Sequence, residues 1–399
     1  MKKNSTTKQK SAAKKKTTAR KKNAAKSLAK TIRPAAKQQR LTVGIDVGDR
    51  ASHYCIVDEA GNKMSEGSFP TTKEGLAKQF GKMAASRMAL EVGTHSSWMS
   101  RQLSAAGHEV IVANAHRVKL ISQSNRKNDR VDAEQLARLA RIDPQMLWPI
   151  RHRGAKAEAD LAIIRARAEL VEARMKLINS ARGLVKPLGE RLKACDAEQV
   201  KESLADGLSA EAQRVVRPLL QCVERVSEQI AVCDGELAAM VERYPEVKLL
   251  TPVYGVGTLI ALTYVLTLDD AQRFERSRDV GPYLGLTRKQ RSSGDREPEL
   301  GISKAGDRML RSLLVQGAQC MLRRRAPESD LRGWGLKKAE GGKRAKRRAV
   351  VTVARKLAVL LHHLWVTGEV YDPLYGRKRA EGVGQSGTSG RKKANPRVA

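Results

Sequence analysis

Four carboxylates are placed where they could act together on a phosphate or a metal ion. Asp46 in "GIDVG" and Glu91 in "LEVG" each end a strand-like apolar stretch, with a Gly two residues later. Side chains alternate between the two faces of a strand, so Asp46 shares its face with Gly44. Asp129 and Asp132 in "KNDRVDAEQLA" are three residues apart, a spacing that puts both on one face of a helix.

These acids predict metal-dependent phosphodiester chemistry if the fold brings them together. Clustered carboxylates repel one another unless divalent cations neutralise them. Two Mg²⁺ ions about 4 Å apart would activate an attacking oxygen and stabilise the leaving one. Each acid alone also fits a helix cap or a surface charge, and Asp46 fits a cap on the turn before Gly48. Glu134 and Asp143 are left outside the set, Glu134 because it faces another side of the helix.

The charge balance predicts a polyanionic partner and favours nucleic acid. The chain has 76 Lys and Arg against 42 Asp and Glu, a formal net charge of +34. Aromatic residues make up only 4% of the chain, so we expect Lys and Arg to reach phosphates rather than bases to stack on rings. An apolar run of about twenty residues is missing, so we expect no membrane span. Five scattered cysteines without a C-x-x-C motif fit a reducing cytoplasm.

Strand and helix patterns alternate from residue 41 to 150, where the acids must be positioned. Strand-like "LTVGIDVG", "HYCIVD", "RMALEVG" and "HEVIVAN" are interspersed with helix-like "KEGLAKQFGKMAA" and "HSSWMSRQLSAAG". This order predicts an α/β domain with a mixed sheet. The following "NDRVDAEQLARLARI" predicts a helix with apolar positions at Val131, Leu136, Leu139 and Ile142.

The rest of the chain is predicted to be helical, with a loose tail at each end. Residues 151–248 predict two long amphipathic helices, which form either an antiparallel arm or coiled coil or a plain helical subdomain. Residues 249–375 predict a mainly α domain with a helix-hairpin-helix-like start at "YGVG", where Gly lets backbone N–H groups approach a phosphate. Residues 1–40 and 376–399 are predicted to be disordered basic tails.

At these motifs the sequence resembles the DEDD transposases of bacterial insertion sequences, also called bridge-RNA-guided recombinases. Asp46, Glu91, Asp129 and Asp132, in this order, are similar to the acids of the family's RuvC-like domain. The stretch from "TPVYGVGTLIALTYVLTL" to "GISKAGDRMLRSLLVQGA" is similar to its C-terminal transposase domain. The short "GIDVG" motif also opens actin-like sugar kinases, but the further Gly-rich phosphate loops of those kinases are not found. The resemblance covers roughly residues 41–375.

The resemblance implies an RNase H-like (RuvC-like) domain, a coiled-coil arm and a small transposase domain, assembled as a dimer or tetramer on double-stranded DNA. It implies Mg²⁺ at the four acids and a serine that becomes covalently linked to DNA. The matching serine is Ser293 in "RSSGDREPELGISK", with Ser292 as the adjacent alternative. The acidic "DREPEL" departs from the family's more basic loop. Guidance by a structured bridge RNA and a bacterial cytoplasmic, nucleoid-associated location are also implied.

Two other functions fit the same residues. A RuvC-like junction nuclease would use the acids with a metal-activated water and without a covalent serine. A non-catalytic basic DNA-binding protein would use the charge alone, and its acids would be structural. We therefore predict a Mg²⁺-dependent transposase that cuts and rejoins DNA, and substitution of the acids separates this enzyme from a simple binder.

Overall fold

The computed structural model describes residues 41–114, 129–289 and 300–376. The chain divides into two compact units, Met1–His152 and Arg153–Ala399. The two predicted basic tails lie outside the described residues, apart from Gly376. The domain divisions predicted at residues 40, 150, 248 and 375 stay predictions.

The first unit is an α/β domain with a mixed sheet, as the alternating patterns predicted. Its five strands are β1 (Thr42–Asp46), β2 (Ala51–Val57), β3 (Lys63–Pro70), β4 (Arg87–Glu91) and β5 (Glu109–Ala113). The sheet order is β3-β2-β1-β4-β5, in which β1 to β3 are antiparallel while β4 and β5 run parallel to β1. Three helices are described in this unit: α1 (Lys73–Phe80), α2 (Ser96–Ala105) and α3 (Asp129–Ile142).

Strand β3 was not predicted, because its sequence "KMSEGSFP" lacks the apolar alternation of a half-buried strand. Phe69 is its one buried side chain, and the rest of the strand lies mostly in solvent at the sheet edge. Its backbone pairs with β2 along the full length of the strand. Backbone pairing therefore specifies this edge strand, and side-chain pattern does not.

The two faces of the sheet are packed in different ways. On one face, Val43 and Ile45 of β1 and Leu90 of β4 join a core with Phe80 of α1 and Met99 of α2. The opposite face is covered by α3, because Gly44 leaves room for a helix backbone. A Cβ at position 44 would lie 2.0 Å from the carbonyl oxygen of Ala133 and 2.4 Å from the nitrogen of Ala137.

The predicted packing face of α3 is partly wrong. Leu136 is fully buried as expected, but Val131 and Ile142 are 38% and 64% exposed. The fully buried residues beside Leu136 include Ala133 and Ala137. Small side chains face the sheet because the helix approaches the β1 backbone too closely for larger ones.

Gly44→Ala should therefore destabilise the first unit strongly. The added methyl group meets helix backbone, which cannot move aside without shifting α3, so we expect a loss of about 3 kcal/mol or more in the free energy of unfolding. Urea unfolding followed by circular dichroism measures it. Gly93→Ala is the control, since a Cβ there meets nothing within 4 Å. Equal losses in the two variants would contradict the proposed role of Gly44.

The second unit is helical, as predicted. Its described α-helices are α4 (Ala155–Leu184), α5 (Ala210–Arg243), α6 (Glu246–Leu250), α7 (Thr258–Leu268), α8 (Val280–Tyr283), α9 (Arg308–Met321), α10 (Asp330–Ala339) and α11 (Lys343–Thr367). Helices α4 and α5 form a long antiparallel pair, since Asp160 near the start of α4 binds Arg243 at the end of α5 at 2.9 Å. An apolar cluster that includes Ile178, Val216 and Leu220 joins the pair at its other end.

The core of the second unit forms around α7, α9 and α11. Gly255 of the predicted "YGVG" turn has φ +83°, and a Cβ there would lie 2.6 Å from the carbonyl oxygen of Gly317 in α9. The turn therefore packs against a helix, and this close packing is enough to explain why a Gly is needed at position 255, without a bound phosphate. Helix α11 has the length and apolar composition that a membrane span needs. Its residues Val353, Leu357 and Leu361 are fully buried in this core, so its apolar character is that of a core helix.

Candidate active site

Asp46 and Glu91 lie side by side at the edge of the sheet that is formed by the carboxyl ends of β1 and β4. They end β1 and β4, which are parallel neighbours with Ile45 paired to Leu90 one residue earlier. Neighbouring residues of parallel strands point to the same face, so the two carboxylates share the face that α3 covers. Both side chains are half-buried.

Helix α3 brings Asp129 and Asp132 to the same edge. The helix runs antiparallel to β1. Its last turn lies at the start of the neighbouring parallel strand β4, where the Arg87 guanidinium donates to the Ala140 carbonyl at 3.0 Å. The middle of the helix lies on Gly44, and its first turn therefore lies towards the end of β1. Asp132 is buried, whereas the Asp129 side chain is 68% exposed.

The charges of the four acids act on Asp46. The pKa of Asp46 is raised to about 6, mostly by burial and in addition by the negative charges of Asp129, Asp132 and Glu91. His53 acts in the opposite sense and lowers it. Asp129, Asp132 and Glu91 are thus near enough to Asp46 to interact with it electrostatically.

The donor set fits a divalent cation such as Mg²⁺, although it is not gathered into a cage. Within residues 41–114, 129–289 and 300–376, no three His, Cys, Asp or Glu side chains converge closely enough to hold an ion. Carboxylate oxygens are the donors that Mg²⁺ prefers, and the repulsion that raises the pKa of Asp46 is what a cation would neutralise. The four acids therefore suit the metal in type and charge.

Two neighbouring acids, Glu134 and Asp143, make other contacts. Glu134 binds Lys63 and Arg138, each at 2.8 Å, and these bonds hold the pKa of Glu134 below its usual value. Asp143 accepts a hydrogen bond from the backbone N–H of Gln145 at 2.9 Å and caps a short 3₁₀ turn. Neither carboxylate belongs to the group that acts on Asp46.

His53 was missed by the sequence reasoning. It lies on β2 directly opposite Asp46, and its Nδ1 is 3.6 Å from Oδ2 of Asp129. Its own strand was predicted, but only the hairpin register places it beside the acids. A protonated His53 would reduce the repulsion at Asp46.

Ser293 and its alternative Ser292 lie outside the described residues, in the interval 290–299. The two ends of that interval are held together in the second unit. The backbone N–H of Lys289 donates to the Gly301 carbonyl at 3.0 Å, and that of Ser303 donates to the Thr287 carbonyl at 2.8 Å. The described residues on either side of the interval are thus paired with each other.

Asp46→Asn should stabilise the metal-free protein at neutral pH. The pKa of Asp46 is about 6 in the folded protein, above its ordinary value of 3.8, so ionisation of Asp46 is less favourable in the folded state than in the unfolded state. The free energy of unfolding of the wild-type protein therefore falls as the pH rises from 3.8 to 6. We expect the variant to gain about 1–2 kcal/mol at pH 7.5, a figure discounted for partial solvent exposure, and almost nothing at pH 4. Chemical unfolding in EDTA at both pH values measures the gain.

Added Mg²⁺ should make the wild-type protein more stable than Asp46→Asn, because a ligand that binds only the folded state stabilises that state. Mg²⁺ should therefore raise the unfolding midpoint of the wild-type protein more than that of Asp46→Asn. An equal rise in both proteins would show that Mg²⁺ binds elsewhere.

Four acids near the ends of two adjacent strands, in a chain of net charge +34, fit the class of enzymes that act on nucleic-acid phosphates. Comparison with known proteins narrows this class. The family profile of the IS110-type DEDD transposases, described as "Transposase", matches residues 43–188, and the profile described as "Transposase IS116/IS110/IS902 family" matches residues 247–332. Together they match more than half of the chain.

Individual relatives agree with the profiles. The transposase for insertion sequence element IS1111A of Coxiella burnetii is 29% identical over 356 residues, which are 86% of this chain and 94% of the relative. The transposase for insertion sequence element IS1328 of Yersinia enterocolitica is 29% identical over 292 residues, 71% of this chain and 84% of the relative. This chain belongs to the IS110 family of insertion-sequence transposases, enzymes that cleave DNA and transfer its strands.

Proposed function

We propose that Asp46, Glu91, Asp129 and Asp132 form the Mg²⁺-dependent cleavage site of this transposase, in an RNase H-like (RuvC-like) first unit. The main support is that two adjacent strand ends and the first turn of α3 bring these acids to one sheet edge, where they raise the pKa of Asp46. The sheet also fits this assignment, since an antiparallel β1–β3 meander continues into parallel β4 and β5.

The protein groups at this site would hold the cations and set the charge of the site. Asp46 and Glu91 end neighbouring strands of the sheet and would hold Mg²⁺ from there, while Asp129 and Asp132 would contribute carboxylates from α3. When bound, the ions would supply charge that polarises the scissile phosphate and stabilises the departing oxygen. His53 would adjust the charge at Asp129 from β2.

Ser293 would be the nucleophile in this scheme. Its Oγ would attack the phosphorus and lose its proton, the bond from phosphorus to the 3′ oxygen would break, and that oxygen would take up a proton. The resulting phosphoserine bond conserves the energy of the phosphodiester, so the cut can be rejoined. The support is the family match over residues 247–332, which contain Ser293 and the adjacent alternative Ser292.

The scheme requires the serine of the second unit to meet the acids of the first, either within one chain or between subunits. We assign the antiparallel pair α4 and α5 as a coiled-coil arm that holds a dimer or tetramer together. Exposed apolar residues along this pair support the assignment: Met175, Leu184, Val215 and Val232 are each at least 40% exposed. Side chains of this kind are buried when helices of two subunits meet.

The partners would be double-stranded DNA at the element ends and target, and a structured bridge RNA that selects both by base pairing. The net charge of +34 supports two polyanionic partners. The enzyme would act in the bacterial cytoplasm, at the nucleoid.

RNA guidance is tested by expressing the full-length protein together with the DNA that flanks its gene. The purified protein should retain a noncoding RNA that pairs with both element ends, and deletion of the RNA-coding flank should lower recombination at least about tenfold. Supplying the RNA from a second plasmid should restore recombination. Full recombination by protein that is free of RNA would contradict guidance.

A further inference from the structure

A cavity of about 860 Å³ lies in the second unit between α10, α11 and the segment 371–376. Three aromatic side chains line it: Trp334, Tyr371 and Tyr375. Aromatic residues make up only 4% of the chain, so three at one cavity form a local concentration. The volume is within the ~300–1,000 Å³ of sites that take small molecules.

Cations share the cavity wall with these rings. The Lys356 ammonium lies 4.0 Å from the centroid of the Trp334 ring, and Arg355 lines the cavity beside it. The ammonium lies over the face of the ring, and it is carried by a long side chain that can move off that face. A nucleotide matches this pair, since its base can take the place of the ammonium on the ring while the ammonium moves to the phosphate.

The acids of the cavity hold its outer wall in place. Asp330 accepts a hydrogen bond from the backbone N–H of Gly376 at 2.6 Å, and its own backbone N–H donates to the Pro373 carbonyl at 2.8 Å. Asp372 accepts from the backbone N–H of Leu374 at 3.0 Å. These carboxylates fix the segment that carries Tyr371 and Tyr375, so the cavity is built by specific contacts.

A basic stripe leads along α11 to the cavity. Four basic residues, Arg344, Arg348, Arg355 and Lys356, follow one another at helical spacing with Thr352 between them, and all five are exposed. Successive phosphates of a nucleic-acid strand could lie along this stripe while one base enters the cavity.

We propose that this cavity binds an unpaired nucleotide of a single-stranded nucleic acid, with the base against Trp334 and the phosphate at Lys356 and Arg355. Bases inside a duplex are stacked on one another and present no face to a ring, so the site selects unpaired strands. This site is in the second unit and uses neither the carboxylates of the first unit nor Ser293. The proposal for this cavity therefore does not depend on the cleavage scheme.

The test measures binding of full-length protein to fluorescent octanucleotides in EDTA: oligouridine RNA, oligothymidine DNA and a duplex of mixed sequence. Trp334→Leu keeps an apolar side chain but removes the stacking surface, so affinity for a single strand should fall about tenfold. Affinity for the duplex should change less than twofold. If Trp334→Leu loses affinity for both oligouridine and oligothymidine, the site binds unpaired bases of RNA and DNA alike. If it loses affinity for only one of them, that nucleic acid is the ligand.

Charge is tested with a matched pair of variants on α11. Lys356→Gln should weaken single-strand binding several-fold more than Lys346→Gln, which removes the same charge from an exposed position ten residues earlier. Thermal unfolding checks that both variants and Trp334→Leu are folded. Oligonucleotides that carry 5-iodouridine should cross-link to peptides within residues 330–376.

Unchanged single-strand affinity in folded Trp334→Leu would overturn the proposal and leave the cavity to a protein segment, such as residues 377–399. Equal effects of Lys356→Gln and Lys346→Gln would also overturn it, because general phosphate attraction alone would then explain the binding.

Discussion

We expect Asp46→Asn, Glu91→Gln, Asp129→Asn and Asp132→Asn each to lower Mg²⁺-dependent strand cleavage by at least about a hundredfold. Each change keeps the shape of the side chain but removes one charge that holds the cations, and a bound metal contributes several kcal/mol to the transition state of phosphoryl transfer. DNA affinity should stay nearly constant, because it depends on the Lys and Arg that contact phosphates. Cleavage of labelled element-end DNA and a filter-binding assay measure the two quantities.

Glu134→Gln is the matched control for the acid substitutions. Glu134 is on the same helix as Asp132, but it binds Lys63 and Arg138. We expect this variant to cleave within about threefold of the wild-type rate once it is folded. Wild-type cleavage by any of the four acid variants would remove that residue from the site.

The second large effect is expected at Ser293. Ser293→Ala should eliminate both recombination and any protein–DNA adduct that survives denaturation, since no other group would then carry the strand between cutting and rejoining. Gel electrophoresis under denaturing conditions, with radiolabelled DNA, detects the adduct. A RuvC-like junction nuclease, which uses water, would cleave without any adduct.

Ser292→Ala is the control beside it and should keep both recombination and adduct. Loss of activity in Ser292→Ala, with full activity in Ser293→Ala, would exchange the two assignments. A mixture of Ser293→Ala and Asp46→Asn proteins should regain some recombination if acids and serine of different subunits form one site. Failure of the mixture would place both groups in one chain.

The sheet edge could be predicted from the sequence because the signals there are local. Asp46 and Glu91 stand out as charges at the ends of apolar strands, and the spacing of Asp129 and Asp132 places both on one helix face. The structure adds the contact between residues that are far apart in sequence. Gly44 admits the backbone of α3, and this contact aims the first turn of the helix at the end of β1.

Other features could not be predicted, because they depend on partners far away in sequence. Strand β3 follows from backbone pairing to β2, and His53 reaches Asp129 only through the register of the β1–β2 hairpin. The low aromatic content led us to expect that contacts of Lys and Arg with phosphates would dominate over base stacking. The fold instead gathers Trp334 and two tyrosines, which are up to 41 residues apart in sequence, around one cavity.

The joint action of the acids and Ser293 is tested most directly by mapping the trapped protein–DNA adduct by mass spectrometry, in wild-type and Asp46→Asn proteins with and without Mg²⁺. We predict a nucleotide attached to Ser293 in the wild-type protein with Mg²⁺, and none in EDTA or in Asp46→Asn. Cleaved DNA without an adduct, or an adduct on another residue, would contradict the assignment of Ser293. An adduct that forms equally well in Asp46→Asn would contradict the role of the carboxylates.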